Sequence, residues 1–172
     1  GTSAHVINLN GLQYTLAPAV YDTLNFYGRD AADSLTITTS SGDDEVTIDP
    51  GELNLSGVAQ VGSGDNAYTV RALSFNDVDV DLGTGALDIA NLNDGGNDDD
   101  LFAHPTTGRL KNSGLDHFVS GFDELYATAN SGGTDRAYVY DGATDDHYIG
   151  RKEFSVLKGA NDEFFVRMEG FE

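Results

Sequence analysis

The chain has 172 residues, 29 acidic against 9 basic side chains and a formal net charge of −20, which makes nucleic acid and anionic lipid surfaces poor partners. It has no cysteine, which excludes disulfides, thiolate chemistry and zinc–cysteine or iron–sulfur sites. No apolar run is long enough to insert in a membrane as a helix, and residues 1–172 read as a single domain.

Residues 1–20 read as the tail of a repeat unit, with Leu12, Tyr14 and Leu16 alternating with polar neighbours. Three units follow, at 21–74, 75–121 and 122–171, each opened by an aromatic residue beside Asp or Asn: Tyr21, Phe75 and Phe122. Each unit has a stretch of period-two alternation, at 33–37, 86–89 and 135–139, which is the strand signal. An acidic turn comes next, at 42–46, 97–101 and 144–148. A weaker one closes the unit, at 64–68, 114–118 and 160–164. The acid is mostly Asp, 22 residues against 7 Glu. Asp suits turns and disfavours helix interiors, and no helical apolar periodicity is present.

The expected fold is therefore all-β. In the third unit the inward anchors are Leu125, Ala137, Tyr148, Val156, Phe164 and Phe171, which fit two coils of three short strands. A coil of about 24 residues is the size of a right-handed parallel β-helix, a β-solenoid whose stacked coils bury a common core. The acidic turns are alternately close and distant, where equal coils would space them evenly, so either the two turns of a unit sit on different corners or the fold is the alternative, an antiparallel β-sandwich.

Gly121-Phe122-Asp123, Gly132-Gly133-Thr134-Asp135, Ala137-Tyr138-Val139-Tyr140-Asp141 and Asp145-Asp146 form a unit that resembles the acidic repeats of large secreted or surface proteins of marine bacteria of the planctomycete type. The likeness is strongest over 119–150 and covers about half of the chain. The resemblance implies an extracellular, modular, non-catalytic region and no particular ligand.

Three chemistries compete with plain structure. Calcium takes six to eight oxygens from carboxylates, carbonyls and water. Asp43 and Asp44, then Asp98, Asp99 and Asp100, then Asp145 and Asp146 are the candidate ligands, with the run 98–100 foremost because adjacent carboxylates repel. The opposing reading makes them turns whose Asp side chains bond their own backbone. Tyr126 and Tyr138, on one exposed face, would stack on sugar rings; the opposing reading is a cross-strand aromatic ladder. A polysaccharide lyase or hydrolase is the enzymatic alternative, with the basic residues Arg109, Lys111, Arg136, Arg151, Lys152, Lys158 and Arg167 scattered and no nucleophile motif. His117 and His147 sit in equivalent acidic turns, which points to raised pKa values at a surface.

The sequence thus reads as a non-catalytic structural or adhesive module of a larger secreted or cell-surface protein, stiffened by calcium and stacked end to end on copies or neighbours. Its other expected partner is extracellular polysaccharide.

Overall fold

The computed structural model describes residues 5–16, 23–29, 33–39, 42–61 and 64–172. Its strands in chain order are β1 His5–Leu9, β2 Leu12–Leu16, β3 Thr23–Tyr27, β4 Ser34–Thr38, β5 Asp44–Asp49 and β6 Glu52–Val61. Then come β7 Gly64–Leu73, β8 Asp77–Asp81, β9 Ile89–Asn93, β10 Asp100–His104, β11 Thr107–Lys111 and β12 Asp116–Ser120. The last are β13 Glu124–Thr128, β14 Arg136–Val139, β15 His147–Gly150, β16 Phe154–Lys158 and β17 Phe165–Glu169, with one 3-10 turn at Ala160–Asp162. Among the described residues no helix is long and apolar enough to cross a membrane.

The strands form two mixed sheets. Sheet A has the order β14-β10-β11-β12-β8-β4-β1-β2 and sheet B the order β15-β16-β17-β13-β9-β5-β6-β7-β3. Their inner faces pack together into one hydrophobic core. The contact is close at Gly108, where an added Cβ would lie 3.0 Å from Leu125 of the opposite sheet. A larger residue there would overpack the core, at a cost of about 1–3 kcal/mol.

The middle of each sheet is parallel. In sheet A, β4, β8 and β12 stack in register, so Leu35, Val78 and His117 form one inward column and Ile37, Val80 and Val119 the next. In sheet B the ladder is β5, β9, β13 and β17, with inward columns Val46–Ala90–Leu125–Val166 and Ile48–Leu92–Ala127–Met168. All of these residues are buried, and full burial of a large apolar side chain stabilises by roughly 1.5–3 kcal/mol. From the parallel ladder of sheet A the chain crosses to that of sheet B at β4 to β5, β8 to β9 and β12 to β13. After each crossing it makes an excursion before the next parallel strand: β6–β7, β10–β11, then β14 with β15–β16.

These excursions correct the expected right-handed parallel β-helix of equal three-strand coils. Eight of the fifteen described pairings are antiparallel, and the two-sheet layout is closer to the sandwich alternative. The cause is local turn chemistry. Asn10 and Gly11 both have positive φ, 48° and 80°, and join β1 to β2. Such a pair matches the twist of a tight hairpin. Pro50 followed by Gly51, at φ 77°, turns β5 back into β6. A chain that reverses at these points cannot continue a uniform coil.

The repeat openers separate accordingly. Phe75 leads into a sheet A strand and Phe122 into a sheet B strand, so they do not form one column, although both are buried. Tyr21 lies outside the described residues. Residues 64–68, read from sequence as a turn, lie within β7.

Candidate metal centre

Aspartates stand at the entrances of the parallel strands. Asp44 opens β5, and Asp88 and Asp123 directly precede β9 and β13, so the three are in register. The Asp44 backbone N–H donates to Asp88 Oδ1 at 2.9 Å, and the Asp88 N–H donates to Asp123 Oδ2 at 2.8 Å. The same step recurs in sheet A, where the Asp99 N–H donates to Asp135 Oδ1 at 2.8 Å, just before β10 and β14. Parallel neighbours are about 4.8 Å apart, and the short Asp side chain spans that gap to an N–H that the ladder leaves open.

The preceding residue repeats a second device. Asp43 Oδ1 accepts from the Ala86 and Leu87 amides at 2.8 and 3.1 Å, and Asp98 Oδ1 accepts from Thr134 at 2.8 Å. Each Asp-Asp pair therefore staples one strand entrance to the turn of the next rung.

The two pairs differ in what surrounds the second aspartate. Asp99 meets two further carboxylates, Asp94 at the end of β9 and Asp135. All three are buried, and one oxygen from each lies within 4.8 Å of the others. An ion equidistant from three oxygens at that limit would sit about 2.8 Å from each, against 2.3–2.6 Å for calcium, so a contraction of a few tenths of an ångström would complete half of a six-oxygen shell. The three carboxylates are aimed by the backbone and by one side chain. Asp94 accepts from the Asn130 and Ser131 amides, and Asp99 from Asn112 Nδ2 at 2.8 Å and from the Gly95 amide at 3.2 Å. Burial raises the Asp99 carboxyl above its ordinary pKa. The Asn112 and Gly95 hydrogen bonds oppose that rise, and the Asp135 and Asp94 charges add to it.

Asp44 meets a phenol instead. Its Oδ1 accepts from the Tyr68 hydroxyl at 2.5 Å, and its Oδ2 is buried with no hydrogen-bond partner. Burial pushes the Asp44 carboxyl up to about 6, against the lowering effect of Thr39 and Tyr68 and with added push from Asp88 and Asp43. Burial and the adjacent Asp44 charge also carry the Tyr68 hydroxyl far above its ordinary value.

Of the seven aspartates named from sequence, only Asp99 belongs to the carboxylate trio. Asp43 and Asp98 bind backbone, and Asp44 belongs to the Tyr68 cluster. Asp100 lies on the outer face of sheet A, level with Lys111 and Arg136. Asp145 is exposed, and Asp146 Oδ2 accepts from the Gly142 amide. The run 98–100 cannot act together because successive residues of an extended chain point to opposite sides. Asp94 and Asp135 were not read from sequence. Asp94 lies five residues before Asp99 in the connection from β9 to β10, whereas Asp135 is 36 residues on and reaches Asp99 only through the parallel register of β10 and β14.

Tyr126 and Tyr138 are likewise separated, Tyr126 on the outer face of sheet B and Tyr138 on that of sheet A. Tyr126 donates to Glu124 at 2.7 Å and tilts against Phe165; Tyr138 stacks on Phe102 with centroids 5.0 Å apart. The histidine expectation is also corrected. His117 is fully buried between Val78 and Leu110, and neither ring nitrogen has a hydrogen-bond partner. Desolvation pushes it down to about 4, with Asp116 opposing. No family model matches the chain, and neither a curated protein nor a solved structure matches it.

Proposed function

We propose that this chain is a non-catalytic structural module of a larger secreted or surface protein, that it mates end to end with like modules, and that calcium held by Asp94, Asp99 and Asp135 stiffens it. One observation carries the reading. Of seven exposed large hydrophobic residues among the described residues, six sit on, or directly after, the outermost strands of the two sheets. At one end they are Leu12 and Tyr14 on β2 and Tyr27 on β3; at the other, Tyr138 on β14, Tyr140 just after it and Tyr148 on β15. Outer strands also present unpaired backbone N–H and C=O groups, which invite a further strand.

Apolar side chains gathered at both edges, with acid over the rest, favour association along the stack axis. The net charge of −20 opposes sideways contact. Heterologous contacts of this kind propagate as a filament. In such an array the parallel ladders of the two sheets would supply a continuous spine. A salty, calcium-bearing exterior would screen the charge and fill the carboxylate trio.

Sedimentation velocity over a wide concentration range tests the association. The wild-type chain should form a ladder of species that Tyr14→Lys or Tyr148→Lys abolishes while the fold persists. A wild-type chain that stays monomeric at the highest concentration, with calcium present, would remove the mating claim.

A further inference from the structure

We propose that the outer face of sheet A binds an uncharged polysaccharide, with a pyranose ring seated between Phe102 and Phe118. This site lies on the sheet face at β10, β11 and β12, one strand in from the β14 edge.

The strand register sets out the site. Phe102 of β10, Arg109 of β11 and Phe118 of β12 stand in one row across three adjacent strands. The two phenyl groups are thus two strand spacings apart, roughly 9.6 Å. Between them lies a groove of about 350 Å³ lined by Phe102, His104, Thr107, Arg109, Lys111 and Phe118. Arg109 lines it with its guanidinium held by Asp116 through a two-point contact from Nε and Nη2.

The walls are braced. Phe102 stacks on Tyr138 with planes 11° apart, and His104 stacks on Tyr140 at 4.2 Å and 7°. Lys111 Nζ lies 5.7 Å from the Phe102 ring centroid. A side chain stacked from behind loses little further freedom when a ligand arrives, which favours binding.

Ligand class follows from chemistry. The face of an aromatic ring carries negative potential and attracts the weakly positive C–H groups on the flat side of a pyranose. Around the rings, Thr107, His104, Lys111 and the Arg109–Asp116 pair offer donors and acceptors suited to hydroxyl groups. Over β14, β10, β11 and β12 the outward charges are Arg136, Arg109 and Lys111 against Asp100 and Asp116, which nearly cancel. The molecule as a whole, at −20, repels a polyanion. A neutral glycan satisfies both conditions.

Affinity electrophoresis of the full chain in gels containing soluble xylan, glucomannan or hydroxyethylcellulose, with polygalacturonate as the anionic comparison, tests the site. At least one neutral polymer should retard the protein. Phe118→Ala and Phe102→Ala should each weaken retardation at least tenfold, and Phe165→Ala, on the opposite sheet, should leave it unchanged. Should either phenylalanine variant lose its cooperative melt, Lys111→Gln serves in its place, with a smaller loss expected. The proposal is overturned by no retardation in any neutral polymer, by retardation in polygalacturonate alone, or by retardation that folded Phe118→Ala retains.

Discussion

The Asp43–Asp44 and Asp98–Asp99 pairs open their strands in the same way and are tied to the next rung alike, the first Asp accepting through its carboxylate and the second donating through its amide, yet they meet different neighbours. Asp99 faces two carboxylates, and Asp44 faces the Tyr68 hydroxyl. A buried anion must be neutralised or solvated. The first cluster has the geometry to recruit a cation, and the second has only a proton to take up. One backbone device thus leads to a carboxylate trio in one corner and a carboxyl–phenol pair in the other, and the difference rests on the residues that neighbouring loops and strands bring alongside.

Calcium gives the largest separation of the two corners. At a hundredfold excess over Kd it should stabilise the wild-type chain by about 2.7 kcal/mol, which raises Tm by about 5–10 °C. Asp99→Asn should abolish that response, whereas Asp44→Asn should keep it. A differential-scanning melt with calcium and with EDTA reads both; an unchanged wild-type melt removes calcium from the proposed function.

Acidity separates them next. Asp44 titrates at about 6 in the fold against 3.8 for a free side chain, so its stabilising contribution is full below the lower value and is lost as pH rises through the upper one. His117 has the opposite sign. It titrates at about 4 in the fold against 6.5 when free, so its contribution is full above the higher value and is lost as pH falls toward the lower. Each slope is about 1.4 kcal/mol per pH unit, and they oppose one another between about pH 4 and 6. Relative to the parent, Asp44→Asn should therefore become more stable as pH rises across that window, and His117→Leu less stable. Urea titrations at several pH values measure the slopes, and parallel curves for all three proteins would contradict the assignment.

The smallest effect concerns the phenol. Tyr68→Phe removes a donor from a buried carboxylate and should cost about 1.5 kcal/mol above pH 7, when Asp44 is ionised, and less at pH 4.5. Equal loss at both pH values would mean that Tyr68 acts through packing alone.

The all-β character was legible in the sequence from the alternation at residues such as Leu35 and Ile37, which are buried as that pattern requires. The hairpins were written there too, in Asn10-Gly11 and Pro50-Gly51, but a reading built on equal coils passed over them. Asp99 stood out within its acidic run, whereas Asp94, just outside that run in the same connection, and Asp135 did not; the proximity of Asp135 depends on which strands pair and in which register. His117 looked like a turn residue beside Asp116; one position inside a strand, alternation turned it inward with Val119. Short-range periodicity is a property of neighbours along the chain, while the meeting of Asp99 with Asp135, 36 residues on, is a property of the sheet.

The excursions between rungs have a consequence for engineering. The offset between registered strands varies, 43 then 39 residues in sheet A and 44, 35 and 41 in sheet B, while the stacked columns stay aligned. Loop length is thus uncoupled from rung alignment. The reversal at Pro105-Thr106, between β10 and β11, is a natural place to splice in a foreign peptide, with the aligned rungs serving as a ready-made display frame.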